Sequence, residues 1–460
     1  MSLQFIFGNS GSGKSHYLYQ QIVEESIRHP EKNYLVLVPE QFTMQTQKDL
    51  CMAHPRGGIM NIDVLSFGRL AHRVFEETGK ERQPILDDEG KNLVLRKIAG
   101  NYEDELTVLK GNLKKQGYIS EVKSVISEFT QYGIDFEQLD SFMEGLNPES
   151  YLYYKLKDIR KVYGGFEDYL RDKYITKEEL LDVLSQTVPE AKMLKDSVIA
   201  MDGFTGFTPV QNRLIGELLK VCDKIMLTVE IDRREDPFVY KHPYQLFALS
   251  KQMVTSLTEV AQEVRVEIDE PVWLCKNPSY RFKENPEMAF LEEELFRYSR
   301  RKYSGEKMRS ISLHEVHTPQ EEAQYVAEEI RRLVREEGYR YREIAVIASD
   351  LSTYADALEK ACDRYEIPVF MDHKKSILLN SFVEYLRSLL VMVEQNYTYE
   401  SVFRYLRTSL CGFTRDEVDR LENYCLALDL KGFKKWDQVW VRKTPMTTKE
   451  ELEELNHLRI

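Results

Sequence analysis

Apolar runs and apolar periodicities alternate over the first residues in an order that predicts strand, helix, strand. Leu3 to Phe7 is a short apolar run, and from His16 to Arg28 the residues Leu18, Ile22 and Val23 fall on one helical side. Tyr34 to Val38 is a continuous apolar run ended by Pro39, the pattern of a strand covered on both faces and hence of a parallel sheet. Asp63 to Phe67 reads as a further strand leading into a helical segment that carries Leu70, Val74 and Phe75.

From about Ile85 to Val188 the period changes to that of helix after helix. Val122, Val125, Ile126, Phe129 and Tyr132 form one stripe, and Leu156, Ile159, Tyr163, Phe166 and Leu170 another, both read as packing faces. Strand character returns at Ser197 to Asp202 and at Lys224 to Ile231, so a helical block interrupts one sheet. A second α/β unit is expected from Ile311: a strand at Ile311, Leu313 and Val316, a helix over Pro319 to Val334, and strands at Ile344 to Ala348 and Pro368 to Met371. Beyond Phe382 the pattern is helical to Ile460, where a charged run has no stop signal and the chain reads as part of something longer.

Composition narrows the class. A chain of 460 residues is too long for a single core and implies roughly two to four domains. With 42% hydrophobic and 30% charged residues and no low-complexity tract, all of it is expected to fold. The N-terminus lacks the order of a signal peptide, and no apolar stretch approaches the length of a membrane span, so the expected setting is soluble and cytoplasmic. Six scattered cysteines without a Cys-x-x-Cys pair indicate neither a zinc site nor a disulfide framework. A net charge of -13 argues against holding nucleic acid by bulk electrostatics and leaves room for a local basic channel. The mixed cluster from Arg297 to Tyr303 follows Glu292, Glu293 and Glu294 and reads first as a solvated face.

The chemistry is concentrated between the first strand and the first helix. Gly8, Asn9, Ser10, Gly11, Ser12, Gly13, Lys14 and Ser15 supply what a phosphate cradle needs: glycines that let backbone N–H groups turn inward, a lysine for the β and γ phosphates, and a hydroxyl for magnesium. A nucleoside triphosphate, ATP, and Mg2+ are therefore expected here. Such sites also use a carboxylate at the end of a neighbouring strand, with a second one to activate the attacking water. Asp202 fits the first role, and Gly203 stands where the second is expected. A small-molecule kinase would share the loop but leaves the unit beginning at Ile311 without a role.

The order of elements resembles the superfamily-one helicases of the UvrD/RecB type, and most closely the AddB family, the B subunits of AddAB helicase–nucleases in bacteria. The resemblance is carried by FGNSGSGKS from Phe7, YLVLVPEQFT from Tyr34, VLSFGRLAHRVF from Val64, MDGFTGFTPVQ from Met201, GYRYREIAVIA from Gly338, YEIPVFMD from Tyr365 and DRLENYC from Asp419. It implies an α/β fold: a P-loop NTPase (RecA-like) parallel sheet at 1–84 and 191–280 with a helical insertion at 85–190. A second, partial RecA-like domain is implied at 281–395, and the start of a further helical insertion at 396–460. It implies an AddA partner, DNA ends as substrate, and a complex that unwinds and digests DNA for recombinational repair of double-strand breaks. Gln41, Phe42, Thr43, Phe67, Arg69 and His72 would line the channel for the 3′-ended single strand and take part in recognising the Chi hotspot.

Three departures bear on turnover. Gly203 replaces the second carboxylate, Ser349 stands where helicases place a γ-phosphate arginine, and Glu230, Ile231 and Asp232 lack the Gly-Asp-x-x-Gln pattern of active members. ATP binding with weak hydrolysis is the expectation, and a non-catalytic scaffold that recognises a single strand is the alternative. The family's C-terminal nuclease part, with its 4Fe-4S cluster, has no counterpart here, so Cys411 and Cys425 are not expected to be cluster ligands.

Overall fold

The structure, a computed structural model, describes residues 1–79, 84–113, 115–171, 173–305, 309–372, 376–445 and 447–459. The chain divides into two compact units, Met1–Ser312 and Leu313–Ile460. Residues 281–312 thus sit with the first unit, whereas the resemblance sets the boundary at 281 and the residue pattern starts the second unit at Ile311.

The first unit is built on a parallel sheet of β1 (Ser2–Gly8), β2 (Tyr34–Leu37), β3 (Ile62–Leu65), β6 (Val198–Met201), β7 (Lys224–Glu230), β8 (Glu267–Ile268) and β9 (Val272–Trp273). Its order is β3-β2-β6-β7-β1-β8, with β9 also on β1. β2 and β6 are buried at every position, as strands with helices on both faces must be. One face packs Leu3, Phe5, Phe7, Leu35, Ile199 and Leu227 against α3 (Phe67–Thr78), α9 (Pro209–Leu219) and α10 (Ala248–Glu263). The other packs Ile6, Val36 and Ala200 against α1 (Lys14–Arg28) and α2 (Thr43–Ala53). Every strand points the same way, so the carboxyl ends of β1, β7, β6 and β2 share one edge of the sheet.

The helical block is inserted between β3 and β6. Two short parallel strands, β4 (Ile85–Leu86) and β5 (Ile175–Thr176), pair at its neck and bring entry and exit together. Inside it, α4 (Asp88–Asn101), α5 (Gln116–Tyr132) and α7 (Tyr151–Leu170) bury a core of their own, while α6 (Phe136–Glu144) packs against α7. Both stripes read from the sequence face that core, except that Tyr132 is exposed at the end of its helix and Leu156 is half-buried. Asp158 is buried on α7 and accepts the backbone N–H groups of Thr107, Val108 and Leu109 at 2.6–3.0 Å, which satisfies a charge the core could not otherwise hold. Lys91 is buried and donates to Glu178 at 2.8 Å, tying α4 to the turn before α8 (Leu180–Thr187). α8 then joins the core of the sheet through Leu180 and Leu184. The unit closes with α11 (Pro286–Glu294), whose Glu287 accepts the N–H groups of Arg309 and Ser310.

In the second unit α12 (Pro319–Glu336) begins where predicted, with Thr318 as its cap and Pro319 in its first turn, and packs on α13 (Leu351–Arg364) through Ala323, Ala327, Leu358 and Cys362. The three expected strands are corrected: among the described residues of this unit none forms. A strand requires a ladder partner, and Leu313, Ile347 and Phe370 are instead almost wholly exposed. The remaining helices are α14 (Ser381–Glu394), α15 (Tyr399–Leu406), α16 (Arg415–Leu428), α17 (Phe433–Asp437) and α18 (Lys449–Leu458), packed about Phe403, Leu421, Tyr424 and Trp440. Ile460, on which the charged run ends, lies outside the described residues. No helix among the described residues is long and apolar enough to cross a membrane.

Candidate nucleotide-binding site

The loop from Gly8 to Gly13 owes its path to positions that exclude side chains. Gly11 and Gly13 have φ of 71° and 94°, in the left-handed region that favours glycine. A Cβ on Gly8 would lie 2.4 Å from the Ser12 hydroxyl. The N–H of Ser12 donates to the Asn9 carbonyl at 3.2 Å, closing the turn from which α1 starts. α1 has no side-chain cap and no acidic residue in its first turn, so its leading N–H groups and the positive end of its dipole are free for an anion. Around Gly13 there is open space. The Asn9 Oδ1 and Ser12 Oγ atoms are buried without a hydrogen-bond partner, as expected of a loop built to receive further polar atoms.

Lys14 opens the helix and folds back so that its Nζ donates to the Asn9 carbonyl at 2.9 Å. Burial pushes its pKa down, the carboxylates of Glu230 and Asp202 oppose that shift, and the charge of Arg281 adds to it. Asn9 in turn donates to both oxygens of Glu292 at 3.1 Å.

Asp202 follows β6, its N–H held by the Leu37 carbonyl at 3.1 Å. Its Oδ1 accepts from Ser15 Oγ at 3.1 Å and from Thr228 Oγ1 at 2.5 Å, while its Oδ2 accepts from the Tyr19 hydroxyl at 2.7 Å. Hydroxyl and carboxylate oxygens are the donor set a hard divalent cation takes, so Ser15 and Asp202 fit magnesium. Gly203 has φ of 77°, a conformation that a glutamate would adopt only under strain. A Cβ there would meet Pro39 and the Phe42 ring at 3.6–3.7 Å.

The fold brings together Gly8 through Ser15 and Asp202, distant in sequence. Four further groups at the site were not singled out for it from the sequence. Tyr19 lies one helical turn beyond Ser15 on the same face, a spacing that carries the signal. Thr228 and Glu230 lie on the predicted strand ending at the same sheet edge, with Glu230 in register with Gly8. Arg281 has no local signal, yet its N–H donates to the Gly11 carbonyl at 3.0 Å and its stem crosses the loop. Of the residues expected at a single strand, Gln41, Arg69 and His72 are exposed, as is the Phe42 ring. Thr43 and Phe67 are buried: the Thr43 hydroxyl donates to the Glu40 carbonyl at 3.0 Å, and the Phe67 ring packs on Phe204 and Phe207. Ser349 lies in the second unit just before Asp350, the cap of α13.

The Arg297 cluster is an ion-pair network. Arg297 bonds Asp232 and Glu235 at 2.8 Å, and Arg301 bonds Glu293 and Glu294 at 3.2 and 2.5 Å. Tyr298 is fully exposed.

A P-loop between the first strand and first helix of a parallel sheet, facing an aspartate at the end of a nearby strand, defines a P-loop nucleotide-binding protein with a RecA-like fold. Residues 5–292 match the family model described as ADDB, N-terminal, and the chain belongs to that family. Residues 281–455 match the UvrD-like helicase C-terminal domain. The whole chain is 41% identical to the B subunit of the ATP-dependent helicase/deoxyribonuclease of Lachnoclostridium phytofermentans, 34% to that of Clostridium perfringens and 32% to that of Acetivibrio thermocellus. In each case the alignment covers 100% of this chain and 40% of the relative, so the chain spans well under half the length of these relatives.

Proposed function

We propose that this chain is the ATP-binding, helicase-like portion of the B subunit of an ATP-dependent helicase/deoxyribonuclease, acting with an AddA subunit on DNA ends in the cytoplasm during recombinational repair. The observation that carries the reading is the Ser15–Asp202 hydrogen bond, which joins the phosphate loop to the strand-end carboxylate. The loop's N–H groups and Lys14 bind the phosphates, and Arg281 brings a second cation to the loop's tip. Ser15 and Asp202 hold magnesium, which when bound neutralises phosphate charge. Gln41, Phe42, Arg69 and His72 contact the 3′-ended single strand and its Chi sequence, by stacking and by phosphate or base-edge bonds, with Thr43 and Phe67 holding their segments in place.

The left-handed backbone at Gly203 favours a subunit that binds ATP and turns it over slowly, the bound nucleotide stabilising the fold by mass action. That same feature supports the second reading, a non-catalytic ATP-binding scaffold that recognises a single strand. Equilibrium binding of a fluorescent ATP analogue in Mg2+ tests the first: saturable binding that Asp202→Asn weakens is expected, and no binding by the parent chain overturns it.

A further inference from the structure

We propose that Tyr19 is a positioning residue for Asp202 and, through Thr46, joins that carboxylate to the loop of Gln41 and Phe42. The inference rests on Asp202 being a magnesium carboxylate.

Tyr19, Thr46 and Asp202 are all buried. The Tyr19 hydroxyl donates to Asp202 Oδ2 at 2.7 Å and lies 3.3 Å from Thr46 Oγ1. Thr228 and Ser15 both donate to Oδ1, so among the described residues Tyr19 is the side-chain donor to Oδ2 and fixes the rotation of the carboxylate about its own bond. Ser15 and Tyr19 ride on one helix, so α1 sets both oxygens of Asp202 from one rigid element.

Thr46 carries the arrangement to the other side. It lies on α2, one turn beyond Thr43, and α2 continues directly from the short turn Glu40–Phe42. A shift of that segment moves Thr46 against the Tyr19 hydroxyl and thereby moves Asp202. The Phe42 ring also stands 3.7–3.9 Å from where a side chain on Gly203, the residue after Asp202, would begin. The segment exposed for a single strand is therefore joined to the strand end of the nucleotide site through α2 and Thr46.

A tyrosine that only fills space would keep its role as phenylalanine. The test is a Mg2+ titration of ATP-analogue binding on the full 460-residue chain, with Tyr19→Phe, Thr46→Val and Asp202→Asn, each checked for an unchanged melting midpoint. Tyr19→Phe is expected to raise the Mg2+ midpoint about five- to tenfold, part of the worth of one hydrogen bond to a charged group because Oδ1 keeps its two donors, while metal-free ATP affinity stays at the parent value. Thr46→Val is expected to shift it about two- to threefold the same way. An oligothymidylate is expected to move the midpoint in the parent and not in Tyr19→Phe. An unchanged midpoint in Tyr19→Phe, while Asp202→Asn loses Mg2+ dependence, overturns the positioning role and spares the reading of Asp202. Unchanged Mg2+ dependence in Asp202→Asn overturns both. An oligothymidylate effect that is equal in parent and Tyr19→Phe, or missing from the parent, overturns the link to the loop.

Discussion

The backbone N–H of Arg281 donates to the carbonyl of Gly11 at 3.0 Å, and its Cβ stands 2.6 Å from where a side chain on Gly11 would begin. The turn carrying Arg281 is thus seated on the tip of the phosphate loop, and its guanidinium joins Lys14 in one electrostatic field. Arg281→Ala is expected to weaken ATP binding about tenfold with little change in melting midpoint, because the backbone bond to Gly11 survives the substitution. Arg281→Lys recovers only part of the loss, since an ammonium lacks the planar fork. Isothermal titration with ATP checks both.

Gly203 has room for a methyl group but not the backbone for it. The contacts of an added Cβ are ordinary at 3.6–3.9 Å, while φ is 77°. Gly203→Ala is expected to cost about 1–2 kcal/mol in urea unfolding, all of it from the backbone. Gly203→Glu should lose at least as much and still not reach the hydrolysis rate of an active motor, because the strained turn does not aim the new carboxylate.

In the helical insertion, burial pushes the Glu167 carboxyl up to about 7, with the charge of Glu179 adding to it. A carboxyl whose pKa is raised by folding stabilises the protein only while protonated. The contribution is full below the ordinary carboxylate pKa near 4.5 and fades as pH rises through about 7. Glu167→Gln is therefore expected to raise stability at pH 8 by about 1 kcal/mol, discounted for solvent screening, and to change nothing at pH 4. Urea unfolding at the two pH values measures the difference.

The first unit was legible because its signals are local and strong. The runs at Leu3 and Tyr34 have the character of strands covered on both faces, the usual state of strands in a parallel sheet, and the glycines of the loop are forced by sterics. Asp202 could be chosen because strand ends in such a sheet converge. Tyr19 was within reach of helical spacing, but a buried tyrosine on an apolar face looks like core until its hydroxyl is seen on Asp202. Arg281 was out of reach, since nothing near it in sequence says that its turn returns to Gly11. The expected strands from Ile311 onward failed for a different reason: an apolar run reports a tendency to be buried, while a strand exists only with a partner, which Ile347 and Phe370 lack among the described residues.

A site that binds Mg-ATP without serving as a DNA-driven motor differs from a working motor in its turnover. Steady-state hydrolysis by the purified chain, with and without single-stranded DNA and beside Lys14→Ala, separates the two, with ATP binding followed in parallel. Binding that Lys14→Ala abolishes, together with slow hydrolysis that DNA does not stimulate, is the predicted result. Brisk DNA-stimulated hydrolysis that disappears in Lys14→Ala would contradict it and would mean that another carboxylate at the site, such as Glu230, acts where Gly203 cannot.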